Sequence, residues 1–351
     1  MQNRPRNRSR RFLTYFLTLI SLTSFFLASA QARDFKKIYI PGATCGNGSP
    51  YAVWLDLKNK DQMMVEFMGG GACWSAKTCY GPKLRAWAFP IPKVPVISWL
   101  SNDLGPKKTQ GLLGNMSMLF FPYCTGDVFA SDHSANYHPF KIEHRGYSNV
   151  IKTLAYLESE GLVNFASYKK FVLYGASAGA IGALVHAPNF LPYLDPTAEK
   201  ILIPDSPGLH FGKTFWDKFP QQMFSDFQNS FSQLGIKITR QDHVIAKFIP
   251  QVCAQLHDFQ IGILQAARDV IMSRVFGNIS LKDHRALVYG EQGLYEKSYE
   301  TNNCSVYTPD TLEHTFLLLP ASSIPGKQEM SAVEFAQHVL NGGLQIRTKN
   351  E

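Results

Sequence analysis

Ser177 lies in Gly175-Ala176-Ser177-Ala178-Gly179, a G-x-S-x-G arrangement. Such a serine can act as a nucleophile when it sits on a tight strand-to-helix turn. Its neighbours must then be small, and its hydroxyl stands clear above the sheet. The flanking residues suit that turn. An apolar, β-prone run, Phe171-Val172-Leu173-Tyr174, comes before it, and an Ala/Gly-rich helical run from Ala178 to His186 follows. The Ala178 N–H, at the helix start, is then available to a developing oxyanion. Gly, Ala and Ser also cluster in ordinary turns, and the plainer alternative is a small-residue helix start packed on a sheet. The strand before and the helix after are what favour the nucleophile.

A second glycine cluster, Gly69-Gly70-Gly71-Ala72-Cys73-Trp74, directly follows an apolar run. Glycines let backbone N–H groups point one way and let a ligand approach closely. No G-K-[ST] follows them, which removes the phosphate loop, and the G-x-G-x-x-G spacing of dinucleotide sites is missing. Beside a serine elbow, the cluster reads as the source of further oxyanion donors from Gly70 and Gly71. A simple tight turn is the alternative.

A serine nucleophile needs a base, and the base needs an orienting acid, which follow in the chain order Ser, acid, His. The later histidines are His210, His243, His257, His284, His314 and His338. His338 falls within a capped final helix, and His284 lies in the charged, surface-like run Lys282-Asp283-His284-Arg285. His314 sits where a loop meets an apolar run and is the expected base. Two acids stand at strand ends, Asp205 after Lys200–Ile203 and Asp269 after Ile261–Gln265, where α/β sites gather. The residues alone leave both open.

The elements that must position these groups read as follows. Strands are expected at Lys37–Ile40, Tyr51–Leu57, Met63–Met68, Met118–Tyr123, Lys170–Tyr174, Lys200–Ile203, Ile261–Gln265 and Thr315–Leu319. Many are continuous apolar runs, as in strands covered on both faces. Helical patterns lie between them at Tyr147–Leu162, Ala178–Leu191, Phe227–Leu234 and Arg268–Phe276. Ser331-Ala332-Val333-Glu334 is a capping box opening a helix that ends near Gly342. The alternation predicts an α/β fold of three layers around a mostly parallel sheet. The stretches 89–95 and 105–114 read as long loops over the active site or as solvated excursions.

Residues 1–30 have the form of a signal peptide, with five arginines and no acid in residues 1–11. An apolar Phe12–Leu27 follows, and Ala28-Ser29-Ala30 is a cleavage site, with a cut after Ala32 as the alternative. A membrane anchor is the competing reading, but the apolar run is shorter than the ~20 residues of a span. Residues 31–351 are then expected to form a single catalytic domain, periplasmic or extracellular. The chain carries +8, from 35 basic and 27 acidic residues. Without the five leader arginines this falls to 30 against 27, or +3, with no basic aromatic-studded stripe of the kind that binds nucleic acid. Six cysteines, all beyond the leader, predict three disulfides rather than a metal site, since no C-x-x-C pair is present.

Four ordered motifs carry a family resemblance: Cys45-Gly46-Asn47-Gly48-Ser49-Pro50-Tyr51, the Gly69–Trp74 cluster followed by Thr78-Cys79, Pro122-Tyr123-Cys124-Thr125-Gly126-Asp127, and Gly175–Gly179. Together the chain resembles the pectin acetylesterase/Notum family of carboxylesterases, from about Cys45 to the final helix. Ala180 stands where that family often has a second glycine after the serine turn. The resemblance implies an α/β-hydrolase-like fold, a Ser177–His314–Asp269 triad, and hydrolysis of O-acyl groups without metal or cofactor. It implies the pairs Cys45–Cys124, Cys73–Cys79 and Cys253–Cys304. The substrate it implies is an acylated carbohydrate or small ester, most simply an acetylated polysaccharide such as pectin. A Notum-like deacylase or lipase for longer chains, or a catalytically silent binding protein, is the alternative. Trp74, Trp87, Phe89 and Trp99 are expected to shorten the acyl pocket and favour acetyl over octanoyl esters.

Overall fold

The structure is a computed structural model that describes residues 33–80, 98, 100, 112–318, 330–343 and 345–350. The leader, Trp87, Phe89 and Trp99 lie outside these residues. Eleven strands are described: β1 (Lys36–Thr44), β2 (Pro50–Asp56), β3 (Gln62–Phe67), β4 (Ser117–Phe121), β5 (His133–Tyr137), β6 (Phe140–His144), β7 (Lys170–Ala176), β8 (Glu199–Asp205), β9 (Gln260–Leu264), β10 (Cys304–Pro309) and β11 (Arg347–Asn350). Nine form one sheet in the order β1-β2-β4-β3-β7-β8-β9-β10-β11, and β5 and β6 make a separate hairpin. Pairing is antiparallel at β1–β2 and β2–β4 and parallel from β4 to β11.

The apolar runs explain the layering. β4 is buried at every position, and β3, β7, β8 and β9 at all but the first. A strand like that needs a covering layer on each face. The described α-helices are α1 (Ala76–Tyr80), α2 (Gly146–Ser159), α3 (Ala178–Phe190), α4 (Gln221–Ser232), α5 (Ile249–Gln255), α6 (Leu281–Val288), α7 (Leu294–Lys297) and α8 (Ala332–Leu340). α8 opens on the capping box: Ser331 Oγ accepts the Glu334 N–H, and the Glu334 carboxylate accepts the Ser331 N–H at 2.7 Å. Among the described residues no helix is long and apolar enough to cross a membrane.

Two expectations are corrected. Thr315–Leu317 is an irregular loop, not a strand. Thr315 has φ +70°, and the amides of Phe316 and Leu317 bond the buried Asp205 carboxylate rather than a neighbouring strand. The apolar run reflects burial of Phe316 and Leu317 under that loop. His284 is buried, not on the surface. With Val288 it forms the inward face of α6, while Lys282 and Asp283 point outward.

Three disulfides tie the frame: Cys45–Cys124, Cys73–Cys79 and Cys253–Cys304. The first joins the β1–β2 turn to the end of β4. The second closes the segment after the glycine cluster, and the third links α5 to β10.

Candidate active site

Ser177 occupies the single-residue turn between β7 and α3, with φ 56° and ψ −119°. A non-glycine residue held there costs on the order of 1–3 kcal/mol. The surroundings leave the turn no slack. A Cβ at Gly175 would stand 2.0 Å from the Gly179 carbonyl oxygen, and one at Gly179 would stand 2.0 Å from that of Phe67. The Ser177 N–H donates to the Asp205 carbonyl at 2.8 Å, anchoring the turn to β8.

His314 reaches the serine from the loop after β10. Its Nε2 is 2.8 Å from Ser177 Oγ, and its Nδ1 is 2.8 Å from Asp269 Oδ2. Asp269 is fully buried. Its Oδ1 accepts the N–H groups of Ile271 and Met272 at 2.9 Å, and Oδ2 also accepts Gln265 Nε2 at 3.1 Å. The carboxylate thus serves as a cap for the π-helical turn Ile271–Gly277 that follows it. That capping holds one oxygen and leaves the other aimed at the imidazole.

Asp205, the other candidate acid, bonds elsewhere. Its carboxylate accepts the Phe316 N–H at 2.8 Å, the Leu317 N–H at 2.8 Å and the Ser206 hydroxyl at 3.1 Å. Burial pushes its pKa up to about 6, against the pull of those amides. Ser206 Oγ accepts the Thr315 N–H at 2.9 Å, so this pair pins the histidine loop on both sides of its strained residue. Asp205, Ser206 and Gln265 are positioning groups whose partners a local motif does not reveal. Of the remaining histidines, His210 and His284 are buried beneath the acid loop. His284 Nδ1 meets the Ala267 carbonyl at 2.8 Å, and His210 Nε2 accepts the Leu294 N–H at 3.2 Å. His257 is exposed, and His338 lies on α8.

The glycine cluster runs out of β3, whose Phe67 pairs with Gly175, so it begins beside the elbow. A Cβ on Gly69 would stand 2.7 Å from the Ala176 carbonyl oxygen, which is why the loop can lie against the elbow only as glycine. Gly70 follows, and Gly71, Ala178 and Ser177 line a cavity of about 690 Å³ measured out to its open mouth.

Among the described residues, Ser177 apart, the lining side chains are apolar, Val128, Ile181, Leu209, Phe211, Phe215, Phe219, Phe227, Phe231, Met272 and Phe276 among them. Trp74 packs against the wall at steep ring angles, with ring centroids 5.2 Å from Phe219 and 6.4 Å from Phe276. Among the described residues the largest share of the wall comes from residues 207–231; Trp87, Phe89 and Trp99, which the sequence also assigns to the acyl pocket, lie outside the described residues. The aromatic spacing Phe224, Phe227, Phe231 on α4 was the available signal, and it has the same period as an ordinary core face.

A mostly parallel sheet with a strained serine between its central strand and the next helix defines an α/β-hydrolase-like fold. The crystal structure of the Wnt deacylase Notum from Drosophila shares it, with a TM-score of 0.63 and 16% identity, over 91% of this chain and 97% of that one. The profile of the pectinacetylesterase family matches residues 30–290, and the chain belongs to that family of carboxylic ester hydrolases. Comparison with curated protein sequences finds no match.

Proposed function

We propose that the protein is an exported serine esterase that removes O-acyl groups through an acyl-enzyme on Ser177, with residues 31–351 acting as one catalytic domain. The observation that carries this reading is the continuous relay of 2.8 Å contacts from Ser177 Oγ through His314 to Asp269. His314 Nε2 takes the hydroxyl proton as Oγ attacks the ester carbonyl carbon, and Asp269 holds the proton on Nδ1. The oxyanion collects N–H donors from Ala178, Gly70 and Gly71, each typically worth about 3 kcal/mol in the barrier. His314 returns its proton to the departing alcohol, and water, deprotonated in turn by His314, releases the acid. Export is supported by the form of residues 1–30 and by the three disulfides.

The family points to acetyl groups on a polysaccharide such as pectin as the substrate. One observation favours a longer acyl group: the cavity beside Ser177 has walls of apolar side chains from Leu209 and Phe215 to Phe231 and Phe276, more apolar surface than an acetyl group can cover. Each methylene buried there adds up to about 0.8 kcal/mol. A nitrophenyl ester series from acetyl to octanoyl tests both readings, with labelling of Ser177 by a fluorophosphonate as the test of the nucleophile. The cavity predicts a kcat/KM that climbs beyond acetyl. A steady fall from acetyl onward returns the assignment to a short-chain acetylesterase, and an unlabelled Ser177 sinks the mechanism.

A further inference from the structure

One cation packs against the cavity's aromatic wall and, among the described residues, has no counter-ion. Lys218 ends the short helical turn Phe215–Lys218, which contributes Phe215 and Trp216 to the cavity wall. Its ammonium lies 4.7 Å from the Phe215 ring centroid and 5.3 Å from that of Trp74, and it donates one hydrogen bond to the Phe276 carbonyl. Phe215 and Phe276 line the cavity, while Trp74 ends the glycine cluster beside Ser177. Lys218 thus stands where the oxyanion loop meets the aromatic wall, half-buried while the lining rings are buried.

Among the described residues no carboxylate lies within ion-pair distance of this ammonium. Burial with nothing to offset it lowers the pKa to about 8. A lysine with only structural work to do would swing its flexible stem into water, where the ammonium is better solvated. Here two rings and one carbonyl hold the ammonium in place, and among the described residues its other two N–H donors meet no acceptor. Cation–π contact with the rings offsets part of the desolvation. The arrangement is a preorganised anion receptor at the edge of an otherwise apolar site.

We propose that Lys218 is a specificity-determining residue that binds a carboxylate on the alcohol portion of the ester, as a uronate unit would supply, while the acyl group enters the aromatic cavity. This rests on the esterase reading of Ser177. With the acyl chain inside, the alcohol must lie at the mouth, and a carboxylate reaching Lys218 would fix which hydroxyl's ester meets Ser177. The charge-assisted contact also explains why the site carries an unpaired cation among aromatics.

The test compares full-length wild type, Lys218→Met and Lys218→Arg on acetylated trigalacturonate and on acetylated xylotriose, which lacks carboxylates. The expected result is that Lys218→Met lowers the ratio of the two kcat/KM values tenfold or more, with most of that ratio restored in Lys218→Arg. Equal losses on both substrates, or an unchanged ratio, overturn the proposal. If wild type cleaves neither carbohydrate, the polysaccharide reading fails separately. The measurement is then inhibition of nitrophenyl butyrate hydrolysis by unacetylated trigalacturonate against xylotriose. Stronger inhibition by the uronate that weakens at least tenfold in Lys218→Met supports Lys218, and no such preference refutes it.

Discussion

Asp269→Asn separates orientation of the base from stability of the fold, because the two carboxylate oxygens have different partners. Oδ1 takes the Ile271 and Met272 amides, and Oδ2 takes His314 Nδ1 and Gln265 Nε2. An asparagine keeps its carbonyl on the two amides, since an NH2 group there would face two donors. Its NH2 then faces His314 Nδ1, which must accept, so the imidazole proton moves to Nε2. That tautomer donates to Ser177 Oγ and has no lone pair for the serine proton. The same substitution in a Ser-His-Asp protease costs about 10⁴ in kcat, or about 5.4 kcal/mol in the barrier. Because both amide bonds survive and only the Gln265 Nε2 bond is lost, at about 1 kcal/mol, the melting temperature is predicted to change by only a few degrees. The comparison is Asp205→Asn. That change relieves a buried ionised group whose pKa rises from 3.8 to about 6, worth roughly 3 kcal/mol at neutral pH. The asparagine carbonyl can keep the Phe316 and Leu317 N–H groups, which share Oδ2, but its NH2 then faces the Ser206 hydroxyl that donated to Oδ1, a lost contact worth about 1–3 kcal/mol. The fold is therefore predicted to survive, and turnover to fall less than about a hundredfold as the Ser206 hold on the Thr315 N–H loosens. Both variants would be assayed for kcat on nitrophenyl acetate and for thermal unfolding. Asp269→Asn retaining a tenth of wild-type turnover, or losing less than Asp205→Asn while both stay folded, would refute the assignment.

Other outcomes follow from the same geometry. Ile181→Trp, which fills the cavity next to the elbow, is predicted to lower kcat/KM for octanoyl esters at least tenfold more than for acetyl esters; equal effects would mean the acyl chain lies elsewhere. Replacing Cys253 and Cys304 together by alanine opens a loop of 51 residues and is predicted to cost about 4 kcal/mol of stability; a denaturant midpoint within error of wild type would contradict this. Stability is also predicted to decline as pH falls from about 6.5 to 4. Burial holds His144 and His186 near 4 and lowers His210 and His284, so the unfolded chain binds protons there that the folded one does not. Asp127 and Asp205, raised to about 6, act in the opposite sense over the same range. Four histidines against two aspartates leave a net loss on acidification, and a melting temperature that rises towards pH 4 would disprove it.

What could be read from the chain was what depends on neighbours in sequence. The serine elbow, the glycine cluster beside it and the Ser331–Glu334 cap are set within a few residues, and burial on both faces left its mark on β3, β4, β7, β8 and β9. What depended on distant partners was hidden. Asp205 and Asp269 both follow apolar strands, and only the approach of the Phe316 and Leu317 amides to one and of His314 to the other separates them. β11 went unseen because Arg347-Thr348-Lys349-Asn350 is polar, as suits an edge strand, and its register comes from β10. The β5–β6 hairpin is mostly half-exposed and polar, so it has no apolar run to betray it. His284 took its surface appearance from charged neighbours whose side chains leave the helix on another face.

Asp205 has two roles, played by different parts of one residue. Its main-chain oxygen takes the Ser177 amide, and its carboxylate takes the amides just past His314. Nucleophile and base, 137 residues apart in sequence, are therefore gauged from a common reference point on β8. Positional error does not accumulate along the intervening chain, which can lengthen, shorten or breathe in the segments that build the cavity wall. The separation of Ser177 Oγ from His314 Nε2 is then a local tolerance of one residue. Variation in the wall built by residues 207–231 is therefore largely uncoupled from this alignment, so such a scaffold can exchange one acyl group for another without retuning its proton transfer.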